Sequence, residues 1–349
     1  MEKSDTCAFT VGIGDKVQSQ VDLLRRTFKA NHPDIPLLHF DLPEFRLLTG
    51  QVCPVRLCEI IAFRTIAGWL LSRHFRRVIH LDADIVIFNE LTRLIETNAP
   101  VLFTHDVPTC DLGPEGAPRI NSGVVVATHE GFWEAWTKEL YSYLTPLLNT
   151  IMDQMALRKM VRDKLIDYEI LPEKELHEYY NNASLQVTGR FWVIEGEVYK
   201  AKEKLKLFHW AGQKVRDTSV FPEHIRAFID EMKEPEGTRA KDREILQSIM
   251  NKSGKCFRSD LVKFMKSLPF QFYRDKHLAN LNPGVWWSWV PMKLDACRRE
   301  LPDDLQRVID GKDDVYYYIE KTMNEKQGLG GFQKQGVYLE AAKQQATAI

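Results

Sequence analysis

Asp82-Ala83-Asp84 stands immediately after the apolar run Val78-Ile79-His80-Leu81. In extended chain, residues two apart project to the same side, so both carboxylates aim one way from the carboxyl end of a strand. That is the end at which ligands bind in open α/β sheets. Two carboxylates so close repel and tend to hold a proton unless a cation lies between them. A hard divalent metal relieves the repulsion and accepts phosphate oxygens in turn, so the pair can fix a diphosphate. The tripeptide alone carries little weight, because with 23 Asp in 349 residues chance supplies roughly 1.5 such patterns. Three further segments add to it: Asn121-Ser122-Gly123 opens the apolar run Val124–Val126, Asp153-Gln154 opens a helical pattern, and His209-Trp210-Ala211-Gly212-Gln213-Lys214 follows Leu205–Phe208. Each has a plainer reading of its own: Asn-Ser-Gly is a common turn, Asp153 a good helix N-cap, and His209 a satisfied core histidine. Gly12-Ile13-Gly14 lacks the third glycine of a dinucleotide loop.

The elements that must position these residues follow from hydrophobic spacing. Ala8–Ile13 reads as a strand closed by Gly14-Asp15, and Val17–Ala30 as a helix with Val21, Leu24 and Phe28 on one face. Pro36–Phe40 reads as the next strand, and Pro54 opens a helix whose face is Ile60, Phe63, Ala67, Leu70 and Leu71. Val78–Leu81 is a strand buried on both faces, so the first half is an α/β pattern with a largely parallel sheet. Val101–Thr104 and Gly123–Ala127 continue as strands, Trp133, Trp136, Leu140 and Leu144 mark a helix face with both tryptophans in the core, and residues 153–164 form a second helix. Leu205–His209 is the last strand expected. After residue 225 helical segments broken by Gly and Pro follow, and Gly328–Ile349 reads as a mobile tail. Arg56, Arg73, Arg76 and Arg77 read as solvated surface charges.

In this order and spacing the chain resembles the glycogenin-like glycosyltransferases, family eight, over about residues 7–222. The resemblance implies the GT-A fold, a Rossmann-like mixed sheet of nucleotide-diphospho-sugar transferases, as a catalytic domain over residues 1–225. A mostly helical extension, 226–330, would then serve membrane or acceptor binding ahead of the tail, 331–349. It implies further that Asp82, Asp84 and His209 bind Mn2+ (or Mg2+), with Ala83 between them in the donor site. Lys214, after Gly212, would neutralise the departing diphosphate, and Arg64 would meet donor phosphate and sugar. Thr10, Gly12, Gly14 and Asp15 would cradle uracil and ribose, the glycines letting the backbone come close. Asn121 and Ser122 would face the donor sugar, Asp106 a sugar or acceptor hydroxyl, and Asp153 with Gln154 the reacting anomeric centre. The implied reaction moves a sugar, with retention, from a UDP-sugar to a hydroxyl of a glycan, lipid-linked glycan or protein. Two other readings compete: a protein that holds a nucleotide sugar without turnover, and a metal-dependent nucleotidyltransferase. The intact Asp82, Asp84 and His209 set argues against the first, and the want of a basic Gly-rich phosphate loop near the N-terminus against the second.

Lys plus Arg number 47 against 48 Asp plus Glu, a net charge of -1 that removes any whole-chain electrostatic case for nucleic acid as partner. Residues 1–15 carry no basic region leading into an apolar stretch, so no secretory leader is expected, and no apolar run is long enough to span a bilayer. The six cysteines (Cys7, Cys53, Cys58, Cys110, Cys256 and Cys297) show no C-x-x-C pair, which fits free thiols in a reducing cytoplasm. Neutrality is an average, however. Residues 251–299 hold ten Lys or Arg, three Asp and eight aromatics, a composition suited to peripheral contact with the cytoplasmic face of a membrane. Packing of those aromatics onto the catalytic domain is the competing expectation, and stacking on single-stranded nucleic acid a third.

Overall fold

The strand and helix alternation read from the first half is present in the computed structural model, which describes residues 4–49, 57–105, 120–142, 152–171, 179–181, 191–200, 203–210, 217–267, 271–274 and 289–292. Strand β1 (Ser4–Val11) leads to Gly14, whose φ of 95° turns the chain into helix α1 (Asp15–Asn31). Asp15 in the first turn and Lys29 in the last complement the helix dipole, and Val21, Leu24 and Phe28 are buried. There follow β2 (Leu37–Phe40), α2 (Leu42–Thr49), α3 (Leu57–Ser72), β3 (Phe75–Leu81), β4 (Ile85–Ile87), α4 (Thr92–Glu96), β5 (Val101–His105) and β6 (Ile120–Ala127). Next come α5 (Phe132–Ser142), α6 (Met152–Arg162), β7 (Glu169–Ile170), β8 (Tyr179–Asn181), β9 (Phe191–Ile194), β10 (Glu197–Lys200), β11 (Glu203–Lys204) and β12 (Leu207–His209). Helices α7 (Glu223–Glu231) and α8 (Thr238–Ile249), a π-helical turn (Met250–Gly254) and α9 (Lys255–Ser267) precede the strand pair β13 (Gln271–Arg274) and β14 (Trp289–Met292). No helix among the described residues is long and apolar enough to cross a membrane.

The central sheet has the order β2-β1-β3-β6-β5-β7. β1 is parallel to β2 and β3, and β7 to β5, whereas β6 is inserted antiparallel between β3 and β5, which makes this α/β sheet mixed. All eight residues of β6 are buried, as expected of a central strand covered on both faces. One face carries α3, α5 and α6, with Trp133 and Trp136 in its core as expected; the other carries α1, Ile85, Ile87 and Leu94. A third cluster joins Val86, Phe208 and Trp210 to Phe191, Val198 and α7 around a β11-β10-β9 sheet.

Three local expectations are corrected. Asn121-Ser122-Gly123 lies inside β6 rather than in a turn before it, because the ladder with β5 shifts register between Phe103 and Thr104 and absorbs the motif as a bulge. Asp153 is inside the first turn of α6, which begins at Met152, and is not its cap. Leu207–His209 is not the last strand, since β13 and β14 pair after it. Arg73 also differs from a solvated charge: its guanidinium lies over the rings of Trp69 and Phe257, 5.6 and 4.9 Å from their centroids, and pairs with Asp260.

The helices beyond residue 225 share the core of the sheet. Leu246, Ile249, Met250, Phe257 and Leu261 belong to the same apolar cluster as Phe45, Phe63 and Trp69. A buried charge cluster fixes α8 in place. Asp242 Oδ2 accepts from Arg25 Nη2 at 2.8 Å and from the Leu37 backbone N–H at 3.1 Å, while its Oδ1 accepts from Lys29 Nζ at 3.2 Å. Arg25 also donates to Glu234 Oε1 at 2.7 Å. Burial pushes the Lys29 ammonium down and Asp242 opposes that shift. Removing one partner of such a cluster strands the others without solvent, so Asp242→Ala is expected to destabilise the fold by about 3–5 kcal/mol in urea unfolding. A loss under about 1 kcal/mol, the range of a surface pair, would contradict the role assigned to this cluster.

Candidate metal and phosphate site

Four strand ends and two helices converge on one point. β3 ends at Leu81, and the ladder is extended by the Asp82 N–H donating to Gly123 O at 2.8 Å. β4 pairs antiparallel with β12, setting His209 opposite Ile85, and the Trp210 N–H donates to Asp84 O at 3.0 Å. His209 Nε2 therefore lies 3.0 Å from Asp84 Oδ1 and 3.5 Å from Asp82 Oδ2. From α3, Arg64 Nη1 reaches Asp82 Oδ1 at 3.0 Å and Asp153 Oδ2, on α6, at 3.3 Å. The same nitrogen donates to Ser122 O at 3.4 Å.

The electrostatics follow from this crowding. Burial opposes the charge on Arg64, but Asp82, Asp153 and Asp84 together outweigh it and hold the guanidinium more firmly protonated than usual. Burial raises Asp82, and the neighbouring Asp84 and Asp153 add to that, against the pull of Arg64 and His209. His80 is held well below its ordinary range by burial and by Arg64. Its neutral ring faces Ser122 O through Nδ1 at 3.2 Å, with Nε2 3.6 Å from Asp82 Oδ1. Asp153 Oδ2 is a buried carboxylate oxygen that lies at ion-pair distance from Arg64 without hydrogen-bond geometry to any described residue. Three carboxylates thus share one fixed guanidinium.

Asp82, Asp84 and His209 each offer one ligand atom, and the three atoms lie within 4.8 Å of one another. Adjacent ligands in an octahedral site with bonds of about 2.1 Å stand about 3.0 Å apart, so the spacing and the O, O, N donor set fit a divalent cation. Gly123 makes room for this arrangement. A Cβ there would lie 2.4 Å from His209 Cε1, 2.7 Å from its Nδ1 and 2.9 Å from Asn121 Oδ1. Asn121 Oδ1 accepts from the Gly123 N–H at 2.7 Å, and Gln154 Oε1 accepts from the Ser122 N–H at 3.3 Å, so both side chains shape the bulge.

Of the residues singled out in the sequence, the structure brings Asp82, Asp84, His209, Arg64, Asn121, Ser122, Asp153 and Gln154 into this one cluster. Ala83 lies between the two aspartates, and Gly12 sits where a Cβ would meet Val21 at 2.5 Å, His39 Nε2 at 3.3 Å and Ala83 Cβ at 3.9 Å, whereas Gly14 and Asp15, at the start of α1, make no described contact with the cluster. Thr10 is fully buried, and its Oγ1 has no hydrogen-bond partner among the described residues. Gly212, Lys214 and Asp106 lie outside the described residues, as does the tail 331–349. His80, His39 and the steric role of Gly123 were missed. His80 was available to period-two reasoning, since it stands two residues before Asp82 on the same side of the strand.

The fold and site define an α/β protein with a carboxylate and imidazole cluster at the carboxyl edge of its central sheet. No protein-family model and no curated protein sequence matches the chain. Among solved structures, it is similar to the galactosyltransferase LgtC in complex with donor and acceptor sugar analogs, at 14% identity over 67% of this chain and 99% of that one, with a TM-score of 0.42. It is similar also to the glycosyltransferase GlyE of Streptococcus pneumoniae TIGR4, at 14% identity over 71% of this chain and 64% of that one, with a TM-score of 0.41. The apo form of GlyE is matched over 46% of its length, so the chain spans about half to two-thirds of the GlyE chains. A third, the apo structure of the bifunctional WbbM, is matched at 15% identity over 60% of this chain and 46% of that one, with a TM-score of 0.36.

The Gly123 contact gives a direct test of the site. Gly123→Ala is expected to displace His209 and weaken Mn2+ binding by about 10- to 100-fold, as loss of an orienting neighbour does, with an unchanged circular dichroism spectrum. Unaltered affinity in titration calorimetry would show that His209 is not held across Gly123 in the manner described.

Proposed function

We propose that the chain is a metal-dependent glycosyltransferase of the GT-A type that moves a sugar from a nucleotide-diphosphate donor, UDP-linked, to an acceptor hydroxyl with retention. The observation that carries this reading is the meeting of Asp82, Asp84 and His209 at metal-ligand spacing beside Arg64 and Asp153. A cation, Mn2+ or Mg2+, held by Asp82, Asp84 and His209 would supply charge to bind the diphosphate and favour its departure. Arg64, charged and anchored by Asp82 and Asp153, presents a fixed positive field to the same region without reorganisation, which is the form of electrostatic help that lowers a barrier most. Asp153 and Gln154 then lie toward the reacting carbon, with Gln154 oriented by its bond to Ser122. Lys214 adds a second positive charge on the leaving group in this reading. No strong side-chain base is needed, since the departing phosphate oxygen accepts the proton of the acceptor hydroxyl on the same face.

The acceptor in this reading is a glycan, lipid-linked glycan or protein hydroxyl, and the enzyme acts in the cytoplasm with residues 251–299 meeting anionic lipid. Phe257 and Leu261 are buried in the main core and take no part in that contact, whereas Lys252, Lys255 and Arg258 are exposed. Loss of co-sedimentation with anionic liposomes on neutralising Lys293, Arg298 and Arg299 supports it, and undiminished co-sedimentation removes it.

Incubation with a panel of UDP-sugars and Mn2+ is expected to release UDP from one of them, with EDTA abolishing and Mn2+ restoring release. Asp84→Asn is expected to lower the rate by about 100-fold or more, in line with loss of one preorganised electrostatic group. UDP binding with no release from any donor would favour a protein that holds the nucleotide sugar without turnover. Asp84→Asn with wild-type release would remove the metal from the reaction.

A further inference from the structure

We propose that His39, on β2, reads the nucleoside end of the donor by accepting a hydrogen bond at Nδ1 from the base N–H or the ribose 2′-hydroxyl. This rests on the nucleotide-sugar reading above and adds to it a residue that nothing in the motif pattern assigns. In the parallel register of β1 and β2, His39 lies opposite Thr10, so the two occupy the same face of the sheet at its carboxyl edge. His39 Nε2 stands 2.8 Å from Gly12 O. A carbonyl oxygen only accepts, so Nε2 carries the hydrogen, and in the neutral ring the lone pair is then on Nδ1. The ring is half-buried and makes no second hydrogen bond among the described residues.

Three further features of this strand end bear on the role of the ring. The Gly12 N–H also donates to Phe40 O at 3.1 Å, so a backbone bond ties the turn after β1 to β2 independently of the imidazole. Gly12 is held to glycine by Val21, His39 and Ala83, the last of these lying between Asp82 and Asp84. The imidazole therefore stands at the turn after β1, across Gly12 from Ala83, and on the nucleotide-sugar reading this turn is where the nucleoside lies. Thr10 Oγ1 on the same face, buried and without a partner, is a second polar atom at this strand end that the described residues leave unsatisfied.

The test is binding, not turnover. In Mg2+, titration calorimetry of the full chain compares UDP with 3-methyl-UDP, which lacks the base N–H, and with 2′-deoxy-UDP, which lacks one ribose donor. The wild type is expected to bind one analogue about 3- to 10-fold more weakly than UDP, the size of one hydrogen bond, and which analogue it is identifies the donor group. His39→Phe is expected to erase that difference, and His39→Gln, whose amide can both donate to Gly12 O and accept, to restore part of it. Should His39→Phe fail to fold, 15N-histidine NMR of the wild type decides: the Nδ1 resonance absent from His39→Gln shifts with UDP and not with the weaker analogue. Equal binding of all three nucleotides, discrimination that persists in His39→Phe, or an unmoved Nδ1 resonance overturns the role of His39 while leaving UDP binding intact. Absence of any UDP binding overturns the nucleotide-sugar reading and His39 with it.

Discussion

Asp82, Asp84 and Asp153 are carried to one point by two β-strand ends and a helix, and such proximity of like charges in a protein interior is unfavourable unless positive charge is brought with them. Arg64 answers part of that demand, with Asp82 and Asp153 at 3.0 and 3.3 Å. Neutral His80 contributes no charge. The remaining imbalance is concentrated at Asp84 and the outer oxygen of Asp82, where His209 closes the third side. A divalent cation there would balance the cluster. Binding chemistry and the electrostatic stability of the site are in this way one constraint.

The rest of the fold can be understood as holding that cluster rigid. The bulge in β6 turns Ser122 O toward Arg64 and His80 and keeps Gly123 bare beneath His209. Helix α6 sets Asp153 in place through its backbone, with Trp136 Nε1 donating to Asp153 O at 2.9 Å from the aromatic core of α5. Asp242 clamps α8 onto α1 and β2, the strand whose carboxyl end carries His39 opposite Thr10 of β1. Core packing, a buried ion cluster and a backbone bulge thus all serve the precision of a few side chains at one sheet edge.

Much of this was legible in the sequence. Val78–Leu81 is apolar because both faces of β3 are covered, and the pair of aspartates after it marks the strand end by charge alone. Helix α1 could be read from Val21, Leu24 and Phe28. Other features were hidden for physical reasons. Asn, Ser and Gly favour turns, so the bulge in β6 reads as a turn until the long-range ladder with β5 overrides that preference. Strands such as β7 and β11, of two residues each, are too short to show a period. Asp242 sits among Arg, Lys and Glu in a stretch that looks like a solvated helix face, and only the packing of α8 on α1 reveals that it is buried. His39 was invisible because its significance lies in a contact with Gly12, 27 residues earlier.

The central claim is that a divalent cation is held by two carboxylates and one imidazole at Asp82, Asp84 and His209. Electron spin-echo envelope modulation of the protein loaded with one equivalent of Mn2+ reads the nitrogen ligand directly. The account predicts modulation from one directly bound histidine nitrogen, lost in His209→Gln. A spectrum with no histidine nitrogen, or one unchanged in His209→Gln, would contradict it.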